Sequence, residues 1–355
     1  MSGTVEIDGS LGEGGGQVLR TALALATLTG RAVRLTRIRA GRERPGLAPQ
    51  HLACVRALAA LCDAELEGAG LRSTELAFTP RAPARAGNYV FDVAESARGG
   101  SAGSAGLVFQ CVLLPLALAG EPSEVRVKGG THVPWSPPYD YLAEIFLPAM
   151  ERCGARVISR LVAWGFYPVG RGQMSAQILP VPESGIEPLS IDARGALTRI
   201  HGRAVACNLP AHIADRMAKR ARSLLADLEV PGEVTPERVR GNGPGAGIFL
   251  TAEYEQAVAG FSALGARGKA SERVAEEACA ALVAHDETGA PVDPHLADQL
   301  LLPMALARGG SSLRTSRVTR HLLTNAEVIR AFLPIAIAID GEEGEPGEIE
   351  VRPAQ

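Results

Sequence analysis

Lysine, aromatic residues and long apolar runs are all scarce in this sequence. Of its 36 basic residues only three are lysine, and phenylalanine, tryptophan and tyrosine together make up 4% of the 355 residues. A membrane-spanning helix needs ~20 consecutive apolar residues. The best candidate, residues 112–120, is shorter than this and contains Pro115. We therefore expect no membrane-spanning segment.

The amino-terminal segment and the cysteines lack the patterns of an exported protein. Residues 1–10 have neither a basic stretch nor an apolar stretch, so we expect no signal peptide. The six cysteines form no CxxC pair. They predict reduced thiols in a core rather than disulfides or a zinc site. These features favour a cytoplasmic protein.

The overall composition is that of a globular protein with little net charge. Hydrophobic residues make up 46% of the chain and charged residues 21%, which excludes disordered and fibrous classes. The formal net charge is -3, so no global field attracts polyanions. Residues 31–44 nevertheless contain six arginines. Arginine suits bidentate phosphate binding, although a GC-rich genome explains the preference equally well.

Alternating strand-like and helix-like segments predict an α/β (α+β) fold with an internal repeat. Residues 4–79 and 88–181 each give the order βαβαββ, and the same theme resumes at residue 296. In between, Pro210 is predicted at the first position of a helix, and residues 241–247 form a glycine-rich loop. We predict a large domain of three βαβαββ units, residues 1–183 and 287–355. A smaller α+β domain, residues 184–286, is inserted in this large domain. The sequence pattern allows the predicted helix at residues 271–285 to belong to either domain.

The sequence GSLGEGGGQVLRT, residues 9–21, runs from a glycine-rich loop directly into a helix. Glycines let backbone amides approach an anion, and a helix N-terminus adds partial positive charge. Arg20 lies one turn into the helix, where its guanidinium can pair with a phosphate oxygen. Glu13 fits such a site only if a divalent cation lies between it and the phosphates. A tight turn that requires glycine explains the same pattern without a ligand.

A second basic segment, residues 39–58, ends in another helix. Arg39, Arg42 and Arg44 precede a turn at residues 45–46, and Gln50 and His51 occupy the first helical turn. Donors clustered before a helix N-terminus suit phosphate. A solvated basic loop is the alternative.

Three further segments carry polar or aromatic residues where a site could form. Residues 129–142 are rich in proline, tryptophan and tyrosine. This composition is typical of a base-stacking pocket or of a rigid loop packed on the core. Asp298 and Gln299 lie near the start of an apolar helix. An aspartate at such a position is either a site residue or simply a helix cap. His321 stands at a strand-to-helix junction, as a base, a ligand, a nucleophile or a structural residue.

Together these segments resemble the RNA 3'-terminal phosphate cyclase family over residues 8–334. The matching stretches are DGSLGEGGGQVLRTALAL, IRAGRERPGLAPQHL, SAGLVFQ, GGTHVPWSPPYDYL, GFYPVGRG, HLADQLLLPMAL and RHLLTNAEVI. The resemblance implies three βαβαββ units with an inserted domain. It also implies that RNA with a 3'-terminal phosphate is converted to the 2',3'-cyclic phosphate with ATP and a divalent metal, Mg²⁺ or Mn²⁺. The implied intermediates are a covalent histidinyl-AMP and RNA-(3')pp(5')A, and the products include AMP and pyrophosphate.

The resemblance also implies roles for individual residues. His321 matches the nucleophile, Arg20 and Arg42 match phosphate-binding positions, and Glu13 matches a metal-binding position. Gln299 is expected at the ribose, with Asp298 orienting the histidine. The remaining expected contacts to ATP or its triphosphate are Gln50, His51, Gln110, Pro134, His295, Leu296 and Ala297. Two residues depart from the family pattern: His295 replaces an expected aromatic, typically tyrosine, and Arg171 replaces a common glycine.

Two other functions remain open at the level of sequence. A non-catalytic cyclase-like protein would act in ribosome assembly, but such relatives lose the catalytic histidine, and His321 is present here. An enolpyruvyl transferase would share the repeated βαβαββ architecture and use phosphoenolpyruvate without a covalent nucleotide. In the inserted block, Arg203, Arg216, Arg220 and Arg222 could contact RNA or form a solvated helix face.

Overall fold

The first part of the chain forms a unit of two helices and a four-stranded sheet with one buried face. Its elements, in chain order, are β1 (Val5–Asp8), α1 (Gly16–Thr29), β2 (Val33–Thr36), α2 (Pro49–Cys62), β3 (Glu65–Glu67) and β4 (Leu76–Thr79). The strand order is β1-β2-β4-β3, in which only β1 and β2 are parallel. The structure, a computed structural model, describes residues 3–12, 14–96, 102–228 and 230–353.

The second unit repeats this arrangement. Its elements are β5 (Asn88–Asp92), α3 (Ala105–Ala117), β6 (Ser123–Gly129), α4 (Tyr139–Tyr141), α5 (Leu147–Arg152), β7 (Val157–Ala163) and β8 (Gly172–Ile178). A π-helical turn, Leu142–Phe146, joins α4 to α5, so the helical segment over residues 139–152 is continuous. The strand order β5-β6-β8-β7 matches that of the first unit.

The third unit begins with β9 (Ser190–Ile191) and is then interrupted. The intervening elements are β10 (Leu197–Cys207), α6 (His212–Leu225), β11 (Gly232–Val239), β12 (Gly245–Tyr254), β13 (Val258–Leu264) and α7 (Ser271–Glu287). These strands form their own sheet, ordered β11-β10-β12-β13, against which α6 and α7 pack. The boundaries 184–286 stay a prediction. The prediction that Pro210 begins a helix is wrong, because α6 begins at His212 with Ala211 as its N-cap.

The chain then completes the third unit. The remaining elements are α8 (Pro294–Leu306), β14 (Ser311–Thr315), α9 (Arg320–Phe332), β15 (Ile335–Asp340) and β16 (Gly347–Pro353). The strand order is β9-β14-β16-β15, so each unit places its first, second, fourth and third strands side by side. The predicted mixed α/β fold of three βαβαββ units is confirmed.

Helices from all three units meet around α1. Helix α1 packs against α2, α3 and α9, and it buries residues on every side, as a central helix does. The six cysteines are buried and free, as predicted. Within the described part of the chain, no helix is both long and apolar enough to cross a bilayer. Because α1 is central, its N-terminus lies where loops of the first unit meet α9 of the third.

Candidate active site

The glycine-rich segment makes a tight turn against α9 and then begins α1. Gly12 has a φ of 57°, a conformation that favours glycine, and a Cβ there would lie 1.8 Å from Thr324 Oγ1. Gly15 is the N-cap of α1 and contributes no side chain over the helix end. The first backbone N–H groups of a helix lack intrahelical partners and attract anions. The predicted anion site is therefore built as a bare helix N-terminus.

Arg42 and His321 converge on this helix end from different units. A Cβ at Gly15 would lie 3.4 Å from Arg42 Nη2 and 4.0 Å from His321 Cε1. Arg42 stands in the loop between β2 and α2, and His321 in the first turn of α9. A permanent cation and an imidazole thus flank the same backbone position, although they lie 279 positions apart in the sequence (321 minus 42).

Arg20 and His51 close the other side of the helix end. A Cβ at Gly16 would lie 2.0 Å from His51 Nε2 and 3.1 Å from Arg20 Nη1, so glycine is required there by close packing. Burial lowers the pKa of Arg20, but arginine stays charged at neutral pH because its ordinary pKa is so high. The predicted phosphate ligands Arg20 and Arg42, and the predicted contact His51, are therefore brought together around Gly15 and Gly16. We call this group the phosphate cradle.

His51 is held neutral by its surroundings. Burial, followed by the positive charges of Arg20 and Arg39, lowers the pKa of His51 to about 3. Its Nδ1 accepts the backbone N–H of Ala48 at 3.2 Å. The proton of the neutral ring is therefore assigned to Nε2, the nitrogen that faces Gly16. His51 thus presents an N–H donor to the phosphate cradle, and not a titrating base.

A small cavity adjoins the phosphate cradle between α1, α3 and α8. It has a volume of about 100 Å³, and four predicted site residues line it: Arg20, Gln110, Asp298 and Gln299. Gln110 Nε2 donates a hydrogen bond to Gln299 Oε1 at 2.8 Å, which fixes the two amides against each other. Arg20 belongs to both the cavity and the phosphate cradle. The two groups of residues therefore form one continuous site.

Asp298 is anchored by a chain of hydrogen bonds that sequence reasoning missed. Thr319 Oγ1 donates a hydrogen bond to Asp298 Oδ1 at 2.5 Å. Thr319 Oγ1 also accepts a hydrogen bond from the backbone N–H of Leu322 at 2.9 Å, and this second contact caps α9. Asn325 Nδ2 donates to the Asp298 carbonyl at 3.0 Å, while Thr21 Oγ1 donates to Asn325 Oδ1 at 2.7 Å. Helices α1, α8 and α9 are thereby tied together directly beside His321. The position of Thr319 before a helical pattern was the available signal for its capping role.

Other predicted contacts lie around the edge of this site. Gln50 Oε1 accepts the backbone N–H of Ser104 at 3.1 Å, so Gln50 supports the N-terminus of α3. His295 is exposed on the first turn of α8, with its ring edge-on to Tyr141 at 6.4 Å. Leu296 and Ala297 are buried in the core, whereas Pro134 is exposed on the loop before α4.

The predicted metal ligand Glu13 lies outside the described residues. Its neighbours Gly12 and Gly14 both have left-handed φ values, 57° and 56°. Across residues 3–12, 14–96, 102–228 and 230–353, no three His, Cys, Asp or Glu side chains cluster as a metal site.

The arginines of the inserted segment are already occupied. Arg216 makes a two-pronged pair with Glu272 at 2.7 Å, and Arg220 pairs with Glu276 at 2.8 Å. Arg222 donates to the Val234 carbonyl at 2.6 Å, and Arg203 pairs with the buried Asp140. These contacts favour the structural alternative over RNA binding for all four.

Comparison with known proteins gives a consistent family. The sequence profile described as RNA 3'-terminal phosphate cyclase matches residues 11–339. A Methylococcus capsulatus protein named RNA 3'-terminal phosphate cyclase is 54% identical over 328 residues, covering 92% of this chain and 91% of that protein. A Methanopyrus kandleri protein of the same name is 42% identical over 356 residues, covering 98% and 99%. Among solved structures, the enolpyruvyl transferase NikO from Streptomyces tendae matches with a TM-score of 0.27 and 16% identity, covering 64% of this chain and 38% of that one. That likeness is too weak to bear on fold or activity.

Proposed function

The chain belongs to the RNA 3'-terminal phosphate cyclase family, and on that basis we propose that it converts RNA 3'-terminal phosphates to 2',3'-cyclic phosphates. In this proposal the reaction consumes ATP and passes through a histidinyl-AMP. The observation that carries it is the convergence of His321 and Arg42 on Gly15 at the N-terminus of α1. An imidazole beside a built anion site is the arrangement that nucleophilic attack on a phosphate requires.

In the first step, an imidazole nitrogen of His321 attacks the α-phosphorus of ATP. A nitrogen–phosphorus bond forms, the bond to the bridging oxygen breaks, and pyrophosphate leaves. A neutral imidazole is a good nucleophile near pH 7. The N-terminal amides of α1, with Arg20, Arg42 and the Nε2–H of His51, would offset the charge on the triphosphate.

In the second and third steps, the AMP group passes to RNA and is then expelled. An oxygen of the RNA 3'-phosphate attacks the AMP phosphorus and releases His321, which gives RNA-(3')pp(5')A. The neighbouring 2'-OH then attacks the RNA phosphorus, closes the five-membered ring and expels AMP. We propose that Gln110, Asp298 and Gln299 hold the nucleoside end of ATP, because they line the cavity that adjoins the phosphate cradle.

The proposal includes a divalent cation, Mg²⁺ or Mn²⁺, with Glu13 as its carboxylate ligand. When bound, the cation supplies positive charge to the triphosphate. Asp298 is proposed as a positioning residue, since Thr319 links its carboxylate to the helix that carries His321.

Intact-mass spectrometry after incubation with ATP and magnesium tests the first step. We expect the wild-type chain to gain one AMP, and His321→Ala to gain none. His212→Ala, which removes an exposed histidine of α6, is the matched control and should gain AMP normally. A phosphoramidate hydrolyses in acid, so the adduct should disappear on acid treatment. RNA bearing a 3'-phosphate should discharge the adduct, and RNA bearing a 3'-OH should not.

The absence of an adduct from folded wild-type protein, with manganese also tried, would overturn the proposal. It would favour the non-catalytic cyclase-like protein of ribosome assembly instead.

A further inference from the structure

The three repeated units expose equivalent sheet faces, but the faces differ in charge. In the first sheet, Glu6, Glu65 and Glu67 lie at outward positions together with Arg34, which pairs with Glu75. Glu65 in turn pairs with Arg81. In the third sheet, Arg314 and Arg352 point outward and pair with Glu348 and Glu350. Both faces are therefore acidic or internally neutralised.

The second sheet exposes a different kind of face. Strand register aligns Val90, Arg126, Ser175 and Arg160 in one row across four strands, with Lys128 on the next row. Arg126, Lys128 and Arg160 are exposed and make no ion pair within 4.0 Å among the described residues. Two carboxylates share this face: Asp92 stands opposite Lys128 in the strand register, and Glu124 lies two residues before Arg126. We call these three residues the basic face. Three exposed apolar residues of the same sheet surround it: Val90, Ile158 and Val162.

Two exposed aromatic side chains stand at the rim of this sheet. Trp135 follows β6 and is 99% exposed, while Tyr167 lies between β7 and β8 and is 63% exposed. Trp135 has a φ of 63° and Arg171 a φ of 53°, both in the left-handed region that non-glycine residues adopt only at a cost. A large apolar ring held in water on a strained backbone contributes nothing to packing. This placement points to a ligand.

The rim is joined to the candidate active site. The loop 130–138 that carries Trp135 is fixed at its base, because Thr131 and His132 both donate backbone N–H groups to the Gly165 carbonyl. Its other end runs into α4, where Tyr141 donates a hydrogen bond to Asp293, the N-cap of α8. Helix α8 carries Asp298 and Gln299. One path of chain and hydrogen-bond contacts therefore leads from the rim to the helix that carries two residues of the cavity.

We propose that the basic face and Trp135 bind the single-stranded RNA that precedes the 3'-terminal phosphate. This inference rests on the proposed function. Phosphates of the RNA strand contact Arg126, Lys128 and Arg160, and a base stacks on Trp135, as is usual for single-strand binding. Arg171, the departure from the family pattern, adds a cation at the same rim. The substrate is then a strand of several nucleotides and not the terminal nucleotide alone.

Kinetics with 3'-phosphorylated oligonucleotides of different length test the basic face. For the triple variant Arg126→Ala/Lys128→Ala/Arg160→Ala, we expect the KM of a dodecanucleotide to rise roughly tenfold at physiological salt. The KM of a dinucleotide and the rate of AMP attachment should not change. The slope of log KM against log salt should fall by about 2, since each cation contributes about 0.7 on a single strand. The matched control, Arg34→Ala/Arg314→Ala/Arg352→Ala, removes three arginines from the other two faces and should change neither quantity.

Fluorescence tests Trp135 without any catalysis. The chain has two tryptophans, Trp135 and Trp164. We expect a dodecanucleotide to quench the emission of the wild type and of Trp164→Phe, and to leave that of Trp135→Leu unchanged. The affinity of Trp135→Leu for the oligonucleotide should fall about tenfold, the loss typical of one stacked base.

Several results would overturn the inference. One is a triple variant in which KM depends on oligonucleotide length as it does in the wild type. Another is a rise in the KM of the dodecanucleotide that is equally large in the triple variant and in its control. A third is a change of molecular mass in solution on mutation of the basic face with RNA affinity unaltered, which would assign this face to a second copy of the chain. If quenching and the salt slope behave as expected but no AMP adduct forms in the wild type, the RNA surface stands and the proposed function fails.

Discussion

Thr319 donates a hydrogen bond of 2.5 Å to Asp298, and this contact joins the helix that carries His321 to the helix that carries Gln299. The same hydroxyl oxygen caps α9 by accepting the N–H of Leu322. One small side chain thus sets both the start of α9 and the orientation of a buried carboxylate. The relative positions of two parts of the candidate site depend on it.

Thr319→Val should therefore damage both stability and activity. The variant keeps the shape of the side chain but loses the cap and removes one hydrogen bond from the buried Asp298 carboxylate, at a cost of about 2 kcal/mol in the free energy of unfolding. We expect AMP attachment to slow by roughly tenfold or more, because the geometry at His321 loosens. Thr319→Ser keeps both hydrogen bonds and should behave as the wild type in urea unfolding and in the rate of AMP attachment. Equal behaviour of the valine and serine variants would contradict this role.

Gly16→Ala should disrupt the phosphate cradle. Alanine normally stabilises a helix relative to glycine by about 1 kcal/mol. Here its Cβ would lie 2.0 Å from His51 Nε2, so the imidazole must move away from the helix end. We expect the rate of AMP attachment to fall about tenfold or more. Gly41→Ala is the control, since a Cβ there meets nothing within 4 Å. A Gly16→Ala protein with unaltered kinetics would rule out close packing of His51 as a functional requirement.

Acid should destabilise the protein partly through His51. The folded-state pKa of about 3 lies below the ordinary histidine value of 6.5, so the unfolded chain binds a proton first as the pH falls. The contribution of His51 to the free energy of unfolding is fully present above pH 6.5 and is lost as the pH falls toward 3. At pH 5 the loss amounts to about 2 kcal/mol.

His51→Asn tests this dependence, because an asparagine oxygen can accept the Ala48 N–H without titrating. Urea unfolding of both proteins at neutral pH and at pH 5 gives the comparison. The wild type should lose more stability than the variant between these pH values. An identical loss in both would show that other groups dominate the acid response.

Removing the arginines of α6 should leave RNA binding unchanged. Arg216, Arg220 and Arg222 are engaged by Glu272, Glu276 and the Val234 carbonyl. In filter binding, the triple alanine variant should retain the wild-type affinity for a 3'-phosphorylated oligonucleotide. A loss of affinity comparable to that of the basic-face variant would show that the salt bridges open to receive RNA.

The fold was largely predictable because apolar spacing follows burial. The helix predicted to follow the glycine-rich loop is α1, and it ends at Gly30, whose φ of 68° is in the left-handed region that favours glycine. Strands β3, β9, β10 and β11 were missed. β3 and β9 have only three and two residues, too few to show a period. In β10, residues Ala204, Val205 and Ala206 are all buried, so polar and apolar residues do not alternate there.

Site residues could be predicted where a sequence motif indicates their chemistry. They could not be predicted where their role depends on how helices pack against one another. Arg20, Arg42 and His321 were singled out in advance, and the structure brings them to one helix end. The sequence alone could not show that Gln50 supports Ser104, because that contact depends on how α2 meets α3. Thr319 and Asn325 were missed for the same reason. Their partners, Asp298 and Thr21, lie on other helices, 21 residues from Thr319 and 304 from Asn325.

The separation of β9 from its own unit affects the order in which the chain can assemble. The backbone N–H of Leu189, next to β9, donates a hydrogen bond to Ser311 Oγ, 122 residues away in the sequence. The loop closed by this contact is much longer than any that the first two units must close. Closing a long loop costs conformational entropy before any contact between its ends can stabilise the structure. We therefore expect the third unit to form last. Because that unit supplies His321, the capacity to accept AMP should arise only at the end of folding. In a refolding time course, AMP attachment would therefore follow the final event, after the first two units have already acquired their structure.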